Sequence, residues 1–159
     1  MAGAYKSSHF YDKNGDLFAH PMHIGGVEQV KDTLRALVRI GFDGRVYKTF
    51  RGPKAEERFQ TEVKVLRYLE KRACPFVPRL IESDPAALRI VTTNCGSRVE
   101  HLDAGRQKEI YDELLQYGVR HEDAEMRNVT YSQSMGRFCI IDFEFATILD
   151  EEGKNGSSA

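Results

Sequence analysis

Between Val119 and Leu149 the chain reads VRHEDAEMRNVTYSQSMGRFCIIDFEFATIL, which sets His121, Asp123 and Asn128 in the spacing HxDxxxxN and ends the next apolar run in Asp142-Phe143. A short apolar run bounded by polar residues reads as a buried strand. The pattern therefore asks for a polar loop that enters a strand whose far end carries a carboxylate. At ordinary residue frequencies His, Asp and Asn fall at this spacing by chance in on the order of one chain in a hundred. An Asp-Phe pair closing the following strand makes coincidence a poor account.

Those residue types at that spacing suit phosphoryl transfer. An Asp on the loop accepts a hydroxyl proton, while an Asn five residues on and an Asp beyond the next strand hold Mg²⁺ against ATP phosphates. Upstream, Val46-Tyr47-Lys48 lies in a strand-like segment, and Glu62 lies in the helical pattern that follows. VYK, TEVKVL, HEDAEMRN and IDFE occur in the order of a third N-lobe strand, a helix C, a catalytic loop and a metal-binding loop. Over residues 37 to 149 the chain resembles the protein kinase-like superfamily.

The resemblance implies an α+β fold with an antiparallel N-lobe sheet, a helix C and a truncated, minimal C-lobe. It implies ATP with Mg²⁺ or Mn²⁺ as cofactors and Asp123 as the residue that orients and deprotonates the acceptor hydroxyl. Asn128 and Asp142 would hold the metal, with Glu144 as a third oxygen donor. Lys48, paired with Glu62, would reach the α- and β-phosphates. Thr93-Asn94-Cys95 would form the hinge whose backbone receives adenine, and His121 would brace the loop rather than touch substrate.

The local patterns supply the elements. Phe10-Tyr11, Asn14-Gly15 and Leu17-Phe18 predict a hairpin, because Asn-Gly supplies the positive φ angles of a type I′ turn. Three strands follow over Gly26 to Thr33, Leu34 to Ile40 and Arg45 to Phe50, the last after a turn at Asp43-Gly44. Gly52-Pro53 precedes a helix from Lys54 to Arg72, whose Phe59, Val63, Leu66 and Leu69 recur at helical spacing and set Glu62 beside a buried stripe. Short strands are expected over Arg79 to Glu82 and Leu88 to Thr92, split at Asp84-Pro85. A second helix over Ala104 to Gln116 stops at Gly118.

With 159 residues and 41% hydrophobic content, one domain with one core is expected over residues 1 to 150, and Glu151 to Ala159 reads as a low-complexity tail without fixed structure. Cys74, Cys95 and Cys139 form no CxxC pair, so they read as reduced structural thiols rather than a zinc or disulfide framework. A net charge of −1 from 23 basic and 24 acidic side chains offers no footprint for nucleic acid. No apolar run approaches the roughly 20 residues of a membrane span, and the N-terminus lacks the apolar centre of a secretory signal. A cytoplasmic protein is the expectation.

Four departures qualify the resemblance. Glu125 stands where protein kinases place a Lys two residues after the catalytic Asp, and would repel a γ-phosphate unless a metal or Arg127 intervenes. Glu144 replaces the Gly of Asp-Phe-Gly, as in choline and ethanolamine kinases. No GxGxxG precedes Lys48, and only Gly25-Gly26 is available for a phosphate loop. Seventeen residues follow Asp142, without an activation segment or Ala-Pro-Glu motif, an economy similar to RIO-type kinases. The acceptor would then come from a partner protein, a second copy of the chain or its own tail. A Ser/Thr protein kinase-like phosphotransferase is the leading reading. The alternatives are a pseudokinase that binds nucleotide and a partner, and a small-molecule kinase of the choline or aminoglycoside type.

Overall fold

The computed structural model describes residues 10–11, 17–18 and 28–150. Strands β1 (Phe10–Tyr11) and β2 (Leu17–Phe18) pair antiparallel, as the hairpin reading requires. Its Asn14-Gly15 turn, Gly25-Gly26 and the tail after Asp150 lie outside the described residues.

Strands β3 (Glu28–Asp32), β4 (Ala36–Ile40) and β5 (Val46–Phe50) form an antiparallel meander. After α1 (Ala55–Lys71), strands β6 (Leu80–Asp84) and β7 (Arg89–Thr92) complete a five-stranded sheet of order β3-β4-β5-β7-β6. Lys31 faces Val38, Val38 faces Lys48, and Lys48 faces Ile90 in register. Directly opposed residues project to one side of a sheet, so these four share a face with Ala36, Phe50 and Thr92. That face looks toward α1, which buries Phe59, Val63, Val65, Leu66 and Leu69. Phe50 meets Phe59 edge-on at 5.8 Å between ring centroids.

The strand expected from Leu34 starts only at Ala36. Thr33 Oγ1 accepts hydrogen bonds from the backbone N–H groups of Arg35 (3.2 Å) and Ala36 (3.1 Å), closing a side-chain turn that competes with the ladder. Leu34 is consequently 90% exposed at the turn tip. Similarly, Asp84 accepts from Ala86 and Ala87 N–H, which ends β6 two residues later than expected. At the start of α1, Lys54 sits at a positive φ of 55° without a side-chain cap, and Glu56 and Glu57 face the positive end of the helix dipole.

The second half pairs a helix with small antiparallel sheets. Strand β8 (Ser97–Arg98) leads to α2 (Ala104–Gln116), which is N-capped by Asp103 through Gly105 and Arg106 N–H. Strand β9 (Val119–Arg120) enters the polar loop, whose Met126–Asn128 turn opens into β10 (Val129–Ser132) and β11 (Arg137–Ile140). Strand β12 (Thr147–Ile148) returns against β9, and β11-β10-β8 form a three-stranded sheet. Gly96, at φ 95°, lets the chain pass over β10, where an added Cβ would lie 2.0 Å from Tyr131 O. Phe76, Leu66, Leu69, Leu114, Val119, Val129, Ile140 and Phe143 belong to one core that runs from α1 to α2 and β11. All three cysteines are free and buried. The described residues thus form an α+β fold of antiparallel sheets and two helices, and none of its helices is long and apolar enough to cross a membrane.

Candidate active site

Lys48 is at the centre of the inner face of β5, 8% exposed. Its Nζ donates to Glu62 Oε2 of α1 at 2.7 Å and to Asp142 Oδ1 at 2.8 Å, and lies 3.6 Å from Glu144 Oε2. One ammonium thus joins the sheet, α1 and the loop after β11, across 94 residues of sequence in the case of Asp142. Glu62 also accepts from Phe143 N–H at 3.4 Å, so α1 grips the same loop through its backbone. Phe143 is fully buried against the His121 ring, 5.2 Å between centroids.

Asp142 does not close a strand. β11 ends at Ile140, and Asp142 takes a φ of 67°. Non-glycine residues adopt this region at a cost and persist there only when their surroundings fix them. Here Lys48 fixes the side chain, while Ile141 on the N-terminal side donates its N–H to Asn128 O and accepts from His121 Nε2 at 2.9 Å. Since His121 Nδ1 accepts from Asp123 N–H at 3.2 Å, the hydrogen bonds assign the proton to Nε2. His121 therefore ties the polar loop to the loop after β11 and braces it, as expected from the sequence.

On the polar loop, Asn128 Nδ2 donates to Asp123 O (2.9 Å) and Asp123 Oδ2 (3.0 Å). Arg127 Nη2 spans both Asp123 oxygens at 2.8 Å. From α2, Tyr111 donates to Glu125 O and Gln107 to Ala124 O, each at 2.8 Å, which fixes the loop backbone from behind. Glu125 is exposed. At the expected hinge, Thr93 N–H donates to Arg79 O and Cys95 O accepts from Thr130 Oγ1 at 2.7 Å. Asn94 Oδ1 is taken by Gly96 N–H. Among the described residues this leaves the Thr93 carbonyl and the Cys95 N–H, an acceptor and a donor two residues apart, free of internal hydrogen bonds.

Oxygens of Glu62, Asp142 and Glu144 lie within 4.8 Å of one another. Asp142 and Glu144 of the expected metal set are thus brought together, joined by Glu62, while Asn128 turns its amide nitrogen to Asp123. Sequence reasoning missed Arg58, which is 4% exposed and donates to Glu144 Oε2 at 3.1 Å and to the carbonyls of Arg35, Arg51 and Pro53. The available signal was its place on the buried stripe of α1 beside Phe59 and Glu62, where a cation taken out of water needs acceptors around it. A groove of about 560 Å³ between α1 and the β6–β7 turn, lined by Phe59, Val63, Tyr68 and Leu88, lies apart from these charges.

Three carboxylates and two cations in one buried cluster set the protonation states. Burial pushes the Glu62 carboxyl up to about 7 against the opposing pull of Lys48. Burial also works against the Asp142 carboxylate, but Lys48 and Lys31 outweigh it and hold it down at about 2. Lys48 is raised, since Asp142, Glu62 and Glu144 together exceed the cost of its burial. Between about pH 4.5 and 7 the folded state holds a proton on Glu62 that the unfolded chain has released. This contribution to stability is full below pH 4.5 and lost as pH rises through 7. The Asp142 contribution runs the other way and fades only toward pH 2. Urea unfolding at pH 5.5 and 8 should therefore show a pH-dependent component of wild-type stability that Glu62→Gln removes. An identical pH profile in the variant would contradict the protonation assigned to Glu62.

No family model matches the chain, and no curated protein sequence matches it.

Proposed function

We propose that the protein is an ATP-dependent phosphotransferase of the protein kinase-like class, with the five-stranded sheet and α1 as its N-lobe. The observation that carries this reading is the meeting of Lys48, Glu62 and Asp142 within hydrogen-bond distance, adjoining a loop where Asp123 and Asn128 are held together. Thr93 carbonyl and Cys95 N–H would take the adenine edge beneath the half-buried Val46, and Lys48 would reach the phosphates. Asp142 and Glu144, with the amide oxygen of Asn128, offer the hard oxygen donors that suit Mg²⁺. Bound there, Mg²⁺ would offset charge on the transferring phosphoryl group.

Asp123 orients the acceptor hydroxyl and takes its proton as the oxygen bonds to the γ-phosphorus and the bond to the β-phosphate oxygen breaks, releasing ADP. The acceptor in this reading is a hydroxyl on a partner protein, on a second copy or on the chain itself. Reduced, buried cysteines accord with a cytoplasmic setting. The pseudokinase reading draws support from the exposed Glu125 on the loop and from Arg127 spanning both oxygens of Asp123.

Ligand that binds only the folded state raises the melting temperature by mass action. Millimolar ATP with Mg²⁺ or Mn²⁺ should stabilise the wild type, and Asp142→Ala should respond far less. Absence of any shift in the wild type, or an equal shift in the variant, would exclude the assigned nucleotide site.

A further inference from the structure

Kinase-like sites commonly grip phosphates with backbone N–H groups of a glycine-rich turn, because unpaired amides form a cradle for anions. The turn joining β3 to β4 is built otherwise. Thr33 N–H donates to Ala36 O at 2.9 Å, and the N–H groups of Arg35 and Ala36 are both taken by Thr33 Oγ1. Arg51 fastens the turn from outside, donating to Thr33 O at 2.9 Å and pairing with Asp32. With three of its four amides, those of Thr33, Arg35 and Ala36, already spent and its backbone pinned, the turn makes a poor phosphate cradle, and side chains are left to supply the charge.

One side chain stands in the right place. Lys31 lies in register with Val38, and Val38 with Lys48, so both lysines leave the same face of the sheet two strands apart. At the usual strand spacing their Cα atoms are about 10 Å apart, a gap that two long, flexible side chains close over one polyphosphate. Lys31 is half-buried, has no ion-pair partner among the described residues, and its charge is felt by Asp142. Lys48, in contrast, already shares its ammonium among three carboxylates.

We propose that Lys31 is a second polyphosphate-binding cation, placed across Val38 from Lys48 and standing in for the backbone amides of a glycine-rich turn. The proposal rests on the nucleotide reading above and adds a residue that the sequence pattern did not mark. Lys31 would engage the β- and γ-phosphates, so it should matter for ATP and much less for AMP.

Isothermal titration of wild type, Lys31→Met and Lys31→Arg with Mg-ATP, Mg-ADP and AMP at fixed ionic strength tests this. A charge-assisted contact implies about a tenfold or greater loss of ATP affinity in Lys31→Met, AMP affinity unchanged, and recovery of most of the loss in Lys31→Arg. Melting curves without nucleotide confirm that each variant is folded, which is expected because β3 is an edge strand. Equal ATP affinity in wild type and Lys31→Met would overturn the role of Lys31 and leave the nucleotide site standing. Equal losses for ATP and AMP would overturn it as well, by showing that Lys31 supports the site without reading the phosphates. Failure of folded wild type to bind any of the three would remove both the site and the proposal.

Discussion

Replacing Asp123 with Asn should leave ATP binding intact and lower phosphoryl transfer by about 10²-fold or more, the usual share of a positioned general base. The substitution keeps the side chain's size and the Asn128 Nδ2 hydrogen bond to the backbone carbonyl of residue 123. It removes the bidentate contact with Arg127, but Arg127 is 54% exposed in its side chain, and an ion pair open to water contributes little to stability. Nucleotide contacts assigned to Lys48, Thr93 and Cys95 are untouched, so the thermal shift with Mg-ATP should persist. Transfer is read with γ-labelled ATP, with Mg²⁺ or Mn²⁺, using protein extract and small alcohols as separate acceptors. If the wild type does no better than Asp123→Asn in every arm while both bind ATP, the chain is a nucleotide-binding module and the exposed Glu125 belongs to a loop that performs no transfer.

The parts of this site that could be read from the sequence are those set by short spacing. HxDxxxxN fixes Asp123 and Asn128 within one loop, and the helical stripe of α1 fixes the side that Glu62 faces. The Lys48–Glu62 pair was legible because a carboxylate on a buried stripe needs a cation, and Lys48 lies on the strand just before it. What escaped was whatever depended on packing between distant segments. Arg58 has no meaning until Glu144 arrives beside it from 86 residues away, and the importance of Lys31 depends on strand register. Strands β8, β9 and β12, two residues each, exist through pairing alone. The β3–β4 turn was misplaced because the Thr33 hydroxyl outcompetes the ladder there, although Leu34 and Arg35 read as strand.

Arg58→Ala should be among the most destabilising substitutions in the protein. The guanidinium is buried and donates in four directions: to Glu144 and to the carbonyls of Arg35, Arg51 and Pro53. Truncation would leave the Arg51 and Pro53 carbonyls without this donor, the Arg35 carbonyl with the Arg51 N–H alone, and Glu144 with only Lys48, 3.6 Å away, as a cationic neighbour. Removing one partner of a buried ion pair typically costs about 3 to 5 kcal/mol, which corresponds to a fall in melting temperature of about 10 °C or more for a domain of this size. Arg58→Lys should recover only part of this, since an ammonium carries the charge without the planar fork that reaches several carbonyls at once. Combining Arg58→Ala with Glu144→Gln separates the terms. If the charge of Glu144 dominates, the double variant should be more stable than Arg58→Ala alone; if the carbonyls dominate, it should be no better. Because Glu62 lies one turn along the same helix, loosening this end of α1 should also weaken the Mg-ATP response, linking the stability of the helix to assembly of the phosphate site. Arg58→Ala melting with the wild type would show that water replaces the guanidinium without loss, and that Arg58 does not anchor α1.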